Sequence, residues 1–171
     1  REGGVMRLEL LIREIDEEME KKIRDNRNVR DEDAEKTAEI VGLSAIKYGD
    51  LSNQATKDYI FDIDKFTSFE GNTGPYILYT IVRIKSILAK YEGEMGPLLP
   101  AETPEEKALM LDLTDFGTTV SEAFEELAPH KLCAFIYRTA NDFNRFYHET
   151  KILTEENKDK KKSWIALLKI T

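Results

Sequence analysis

One stretch, residues 69–91, constrains the fold more than any other part of the sequence, because it contains a complete helix with its start signals. It reads FEGNTGPYILYTIVRIKSILAKY. Asn72 or Thr73 can accept the free amide hydrogens of a first turn, and Pro75 falls where a missing amide does no harm. Apolar side chains then recur with helical spacing and form a core stripe of Ile77, Ile81, Ile84, Leu88 and Tyr91. The sequence therefore predicts a helix that begins near Thr73 and buries one face.

A second face of the same predicted helix combines aromatic and basic side chains. Its members share an arc at helical spacing and are Tyr76, Tyr79, Arg83, Ser86 and Lys90. Proteins bind unpaired RNA by stacking its bases on aromatic rings and guanidinium planes, with cations near the phosphates. Tyrosines on a mostly buried helix are also common core residues. On the pattern alone, an RNA-binding surface and a packed face both remain open.

Charge and size limit the classes of protein that this chain can be. With 171 residues, 41% of them hydrophobic and 34% charged, the chain can bury the core of one domain plus an appendage. A net charge of −8 argues against a general nucleic-acid binder, which would usually be basic. The acid is concentrated upstream, since residues 129–171 contain nine Lys and Arg against five Asp and Glu. A locally basic surface can still steer an anionic partner, although the lysines at 158–162 also suit a solvated helix start.

Composition also indicates the cellular setting. No apolar run is long enough to cross a bilayer, and the first residues do not resemble a signal peptide. Cys133 is the single cysteine, which excludes an internal disulfide, and the two histidines are too far apart in sequence to suggest a metal site. We therefore expect no metal, no membrane association and a reducing cytoplasm.

The remaining periodicity predicts an all-α chain. A short run at residues 5–8 could be extended, a helix follows from Leu8 to about Asp25, and a second starts at Asp31 and pauses around Gly42. Residues 56–62 are predicted to be extended or irregular, and residues 92–101 a loop. Thr103 and Pro104 start another helix, with Leu109, Met110, Leu113 and Phe116 inward and a bend at residues 118–121 before Ala123, Phe124 and Leu127. A final helix follows residue 158.

The long helix predicted from Pro129 to about His148 has two faces. An aromatic-rich core face comprises Leu132, Phe135, Ile136, Thr139, Phe143, Phe146 and Tyr147. The other face carries Arg138, Asn141, Arg145 and His148, which could contact phosphate. Exposed arginines are ordinary, so this second face also fits a plain solvated surface.

Several long motifs resemble arginyl-tRNA synthetases. They are FEGNTGPYILY followed by Arg83, the segment AIKYGDLS that begins at Ala45, and DYIFD that begins at Asp58. In that family these motifs join the end of the catalytic domain to a helical anticodon-binding domain, the DALR domain. The resemblance covers nearly the whole chain. The chain lacks the HIGH and KMSKS signatures of the class I active site, so we expect a C-terminal fragment. It implies a helical remnant of the catalytic domain at residues 1–68 and a DALR-type bundle at 69–171, without the short tail that the family carries.

The resemblance also implies which residues contact RNA. In the family, the tyrosines and arginine of the Pro-Tyr-x-x-Tyr-x-x-x-Arg segment lie against the anticodon loop, and these match Tyr76, Tyr79 and Arg83. The family tyrosine that ends the long helix matches Tyr147. Lys90, Arg138, Asn141 and Arg145 are candidate phosphate contacts. Many relatives have Leu-Gln where this chain has Ile77 and Leu78, so we expect one polar contact of the family to be missing here.

The function implied by the resemblance is tRNA binding, and the aminoacylation reaction would be carried out by another part of the parent enzyme. The parent enzyme joins arginine to tRNA(Arg) using ATP and magnesium, and we expect neither catalytic residues nor a cofactor in this piece, which we expect to be monomeric. One alternative is the anticodon domain of another class I enzyme, such as the cysteinyl one, which the Glu70–Tyr76 run disfavours. The other is a helical protein-interaction module in which Tyr76 and Tyr79 contact a partner helix.

Overall fold

Helices make up all of the regular secondary structure in residues 7–25 and 31–171, which are the residues that the computed structural model describes. Within these ranges there is no strand, which confirms the all-α prediction. The helices are α1 (Leu8–Asp25), α2 (Asp31–Leu51), α3 (Ile63–Phe66), α4 (Gly74–Ala89), α5 (Pro104–Thr114), α6 (Phe116–Glu125), α7 (Pro129–Glu149) and α8 (Lys158–Ile170), with a 3₁₀ turn at Ile152–Thr154.

The chain divides into two units, Arg1–Leu78 and Tyr79–Thr171. The division falls within α4, so the first turns of this helix belong to the first unit and the rest to the second. The domain boundary predicted at residue 69 stays a prediction. Of the run predicted to be extended, residues 5 and 6 lie outside the described residues, and α1 already begins at Leu8.

The first unit is built on the packing of α1 against α2. Ile15, Met19 and Ile23 from α1 are buried together with Ala34, Ala38 and Val41 from α2. Small side chains on α2 let the two backbones approach closely. The pause predicted around Gly42 is wrong, because α2 continues unbroken to Leu51. A Cβ at Gly42 would lie 2.5 Å from Asp16 Oδ1, so this glycine serves close packing and does not end the helix.

The start of α4 follows the sequence prediction. Thr73 Oγ1 accepts a hydrogen bond from the amide of Tyr76 at 3.2 Å and donates one to the Ser68 carbonyl at 2.6 Å. Gly71, with φ of 80°, makes the preceding turn. Gly74 lies against α2, where a Cβ would come within 2.2 Å of the Ser44 carbonyl oxygen. The helix start is therefore fixed both by a cap and by contact with the first unit's backbone.

The second unit has an aromatic core centred on α7. Phe143 and Phe146 are fully buried, and Trp164 meets Phe146 edge-on with ring centroids 5.8 Å apart. Residues from α4, α5 and α8 complete this core, namely Ile84, Ile87, Leu109, Ile165, Leu167 and Leu168. The predicted core face of α7 is confirmed, with Leu132 and Ile136 partly buried and Tyr147 at its margin.

The predicted core stripe of α4 needs one correction. Ile87, which the pattern left out, is buried, whereas Ile81, which it included, is exposed. The buried face of α4 is centred on Thr80, Ile84 and Ile87. The sequence pattern missed it because Thr80 is polar, and a search for apolar spacing does not count a polar residue as buried.

The region of α5 and α6 differs most from the prediction. Thr103 caps α5 as predicted, since its Oγ1 accepts from the Glu106 amide at 3.1 Å. The break between helices comes at Asp115, three residues before the predicted bend. Phe116, predicted to point inward, is exposed, although its ring lies 5.7 Å from that of Phe135. Phe124 on α6 and Leu127, which follows the end of α6, are 78% and 81% exposed, although α6 packs on α7.

The last helix and the loop before α5 pack together. Asn157 caps α8, accepting from the amides of Asp159 and Lys160. The Gly96 amide donates to the Lys162 carbonyl at 3.3 Å and the Leu99 amide to Ser163 Oγ at 2.9 Å. Buried Glu106 accepts from the Trp164 indole at 3.0 Å.

Among the described residues, none of the helices is long and apolar enough to cross a membrane.

Candidate nucleic-acid interface

Arg83 lies between two tyrosine rings in the second unit. Its guanidinium carbon is 4.7 Å from the ring centroid of Tyr79 and 5.0 Å from that of Tyr147. A guanidinium within about 6 Å of a ring face is attracted to it. The two rings are 49% and 36% exposed, so α4 and α7 present an aromatic pair with a cation between its members.

Two polar side chains hold Arg83 in this position, the half-buried Asn144 and the exposed Tyr79. One guanidinium nitrogen donates to Asn144 Oδ1, and the other donates to the Tyr79 hydroxyl at 3.1 Å. The Asn144 amide nitrogen in turn donates to Thr80 Oγ1 at 3.2 Å. Because Thr80 is buried, the chain of hydrogen bonds fixes the guanidinium from the core side and leaves its outer side facing the rings.

The position of Tyr147 follows from the helix that carries it. Its ring stacks on that of buried Phe143 at 6.0 Å and meets the His148 ring edge-on at 6.1 Å. The ring therefore rests on the core with one side while the other remains exposed, as predicted for a residue at the margin of the apolar face.

A cleft with a volume of about 560 Å³ opens beside these residues. We call it the Arg83 cleft. Its walls come from α4, the end of α7 and the 3₁₀ turn, and its lining comprises Tyr79, Val82, Arg83, Ser86, Ile87, Lys90, Tyr147, His148 and residues 150–154. No Asp or Glu occurs among the described residues that line it, whereas the whole chain has a net charge of −8. The cleft suits an anionic ligand with an aromatic part.

Tyr79, Arg83, Tyr147 and Lys90 are the predicted site residues that the structure brings to this cleft. Tyr76 is half-buried on the part of α4 that belongs to the first unit, and it does not line the cleft. Its role in RNA contact stays a prediction.

The three candidate phosphate contacts on α7 lie outside the cleft lining. Arg138 pairs with Asp112 and, at 3.5 Å, with Asp115, so its charge is already balanced. Arg145 is exposed and lies 3.8 Å from Asp142. Asn141 is half-buried. Burial and the nearby Asp112 raise the pKa of Asp142, and the two arginines oppose that rise.

Sequence reasoning missed two residues that shape the site. Asn144 and Thr80 lack the aromatic or cationic character that marked the others. Their part depends on contacts between α4 and α7, because Asn144 is 61 residues from Arg83 and 64 from Thr80 in sequence. The spacing carried a weak signal, since Asn144 is one helical turn before Tyr147 and Thr80 one turn before Arg83.

Comparison with known proteins agrees with this arrangement. The family model of the DALR anticodon binding domain matches residues 77–171, and that of the class I (R) tRNA synthetase catalytic domain matches residues 1–63. The chain therefore belongs to the DALR anticodon-binding domain family. The predicted resemblance to arginyl-tRNA synthetases is also confirmed, as the following relatives show.

Similar proteins are named arginine–tRNA ligases. The protein from Agathobacter rectalis is 60% identical and that from Alkaliphilus oremlandii 49%, each over 100% of this chain and over 31% and 30% of its own length. The solved arginyl-tRNA synthetase of Thermus thermophilus superposes with a TM-score of 0.90 at 30% identity, covering 99% of this chain and 30% of that one. The Plasmodium falciparum enzyme gives 0.81 at 27% identity, with 97% and 30% covered. The chain spans less than a third of the length of these relatives.

Proposed function

We propose that this chain binds the anticodon loop of tRNA(Arg) and that unpaired bases stack at the Arg83 cleft. The observation that carries the proposal is the placement of Arg83 between Tyr79 and Tyr147 at the mouth of a cleft without acidic lining. Membership of the DALR anticodon-binding family supports it independently.

The chemistry of the cleft suits an unpaired base. Each base has a π-face that can stack on a tyrosine ring or a guanidinium plane, and such stacking contributes about 1–3 kcal/mol per base. Anticodon bases are already unstacked enough to be splayed onto a protein surface. A duplex stem could not place its bases in a cleft of this size, so the loop is the part of the tRNA that fits.

We assign this binding role to a larger parent, an arginine–tRNA ligase. The parent would join arginine to tRNA(Arg) using ATP and magnesium, acting as a monomer in the cytoplasm. The described residues do not fit a magnesium site, since none of their His, Cys, Asp and Glu side chains form a group of three or more that could hold a metal ion. The chain spans less than a third of the length of its relatives, and we assign the aminoacylation chemistry to the rest of the parent enzyme and the positioning of the tRNA to this chain.

The comparisons favour this proposal over the two alternatives. The catalytic-domain model that matches residues 1–63 is the arginine-specific class I model, which disfavours the cysteinyl enzyme. A purely protein-binding role for Tyr79 fits poorly with an arginine held against its ring and with the basic lining around it.

A filter-binding titration tests the proposal. Transcripts of tRNA(Arg) should bind the chain more tightly than the same transcripts with a changed anticodon, and Tyr79→Ala should reduce that difference. Phe124→Ala is the matched control, since it removes an exposed aromatic ring of the same unit that does not line the cleft. Equal binding of both transcripts by the unmodified chain would refute the anticodon assignment.

A further inference from the structure

The Arg83 cleft has a second part that the stacking role does not use. Lys90 follows Arg83 by seven residues and lies directly after Ala89, the last residue of α4, roughly 10 Å further along by helical rise. On the opposite wall, His148 and Lys151 come from the end of α7 and the residues after it. Ser86 lies between the two ends of the cleft on α4 and adds a hydroxyl group.

The two lysines of this second part have no carboxylate partner among the described residues. Elsewhere in the second unit, Lys131 pairs with Glu122 and Glu126, and Lys160 pairs with Glu102 at 2.6 Å. Arg83 itself is engaged by two rings and by Asn144. Lys90 and Lys151 thus remain as the cleft's uncompensated ammonium groups, in a chain with an excess of acid.

Cations that have no carboxylate partner within salt-bridge distance favour binding of an anion over binding of a metal ion. A bound carboxylate ligand would leave the aromatic end of the cleft without a partner, whereas a nucleotide supplies a base and a phosphate in one covalent unit. The cleft volume of about 560 Å³ falls within the range of pockets, about 300–1,000 Å³, that hold a single small ligand. Its dimensions and chemistry therefore match one nucleotide.

We propose that Lys90 and Lys151, with His148 beside them, form a binding subsite for the backbone phosphodiester next to the base that stacks at Tyr79, so that the cleft takes one extruded nucleotide as a whole. This inference rests on the proposed anticodon function. It adds Lys151 to the candidate phosphate contacts, groups this lysine with Lys90 and His148, and assigns the two ends of the cleft different tasks. The aromatic end distinguishes anticodons, and the basic end contributes affinity that is independent of sequence.

The salt dependence of binding tests this division. Each phosphate that a protein neutralises on a single strand contributes about −0.7 to the slope of log affinity against log salt concentration. The double variant Lys90→Ala/Lys151→Ala should lower the magnitude of that slope by about 0.7 or more. It should weaken binding of the tRNA(Arg) anticodon stem-loop and of a changed-anticodon stem-loop by the same factor.

The matched control removes the same charge from elsewhere in the unit. Lys85 and Lys107 are exposed on α4 and α5 and do not line the cleft, so Lys85→Ala/Lys107→Ala should leave the slope unchanged. Circular dichroism checks that both double variants are folded.

The outcomes separate this inference from the proposed function. One outcome is that the unmodified chain prefers the tRNA(Arg) anticodon and that both double variants keep the salt slope of the unmodified chain. The phosphate subsite is then wrong, and the anticodon role stands. If the unmodified chain shows no preference, the anticodon role fails. Inorganic phosphate at constant ionic strength should not displace the stem-loop. Displacement at low millimolar phosphate would overturn the assignment to the RNA backbone in favour of a free-anion site.

Discussion

The side-chain amide of Asn144 accepts a hydrogen bond from the guanidinium of Arg83, linking α7 to α4 beside the aromatic pair. This contact determines where the guanidinium lies, since the amide is itself held by buried Thr80. The geometry of the proposed RNA-binding surface thus depends on polar contacts behind it as well as on the residues that line the cleft.

Asn144→Ala should weaken anticodon binding without removing any group from the outer surface. Loss of one hydrogen bond of this kind corresponds to about 1 kcal/mol, or roughly a fivefold loss of affinity. The titration should be repeated with Thr80→Val, which keeps Asn144 and its contact to Arg83 and should have the smaller effect. A larger effect of Thr80→Val than of Asn144→Ala would contradict the account in which Asn144 holds Arg83 directly and Thr80 acts only through Asn144.

The tyrosine ring should matter more than its hydroxyl group. Tyr79→Phe keeps the stacking surface and loses only the acceptor for Arg83, so most of the affinity should remain. Tyr79→Ala removes the ring and should lower affinity by about 1–3 kcal/mol if one base stacks there. Similar losses for the two variants, measured by the same titration, would show that the hydroxyl group and not the ring makes the contact.

Two glycines should respond to alanine in opposite directions. Gly74→Ala places a Cβ 2.2 Å from the Ser44 carbonyl oxygen, and because that atom belongs to a helix backbone, the substitution should destabilise by about 1–3 kcal/mol or more. Gly117→Ala meets no atom within 4 Å on α6 and should stabilise by about 0.5–1 kcal/mol. Thermal unfolding measures both. An unchanged melting temperature for Gly74→Ala would mean that α2 and α4 do not approach so closely.

The stability of the first unit should depend on Asp16. Burial, and secondarily the charge of Glu39, raise the pKa of the Asp16 carboxyl above 3.8. The folded chain therefore binds this proton more readily than the unfolded chain, and the ionised carboxylate opposes folding once the pH exceeds its folded pKa. Asp16→Asn should raise the midpoint of urea unfolding at pH 7.

The effect of Asp16→Asn should disappear with acid. At a pH well below 3.8 the carboxyl is protonated in both the folded and the unfolded chain, so the variant and the unmodified chain should unfold at the same urea concentration. Glu17→Gln, on the exposed side of α1, serves as the control for a change of charge. A lower midpoint for Asp16→Asn at pH 7 would contradict the sign of this coupling.

Local signals in the sequence were sufficient for the helix starts. The caps at Thr73 and Thr103 depend on residues within one turn, and both lie where the sequence predicts them. The apolar face of α7 was equally predictable, because its aromatic residues recur with helical spacing from Phe135 to Tyr147. These features need no knowledge of what the helix packs against.

Features that depend on the neighbouring helix were not predictable from local signals. Gly42 suggested a pause, but it faces Asp16 in the interior of an unbroken helix. Phe124 and Leu127 look like core residues by type, yet both are exposed, the first on α6 and the second after its end. Of the site, the aromatic and cationic residues were recognisable from their chemistry and from the family motif. Asn144, which positions Arg83, was not, because its role exists only once α4 and α7 meet.

Fluorescence of a base analogue tests the central claim, that an unpaired anticodon base stacks in the Arg83 cleft. An anticodon stem-loop of tRNA(Arg) carrying 2-aminopurine in the loop should change its emission when the chain binds, because stacking on a ring alters the environment of that base. The account predicts that Tyr79→Ala abolishes the change at saturating protein, while Phe124→Ala retains it. An identical change in emission with the unmodified chain and with Tyr79→Ala would contradict it.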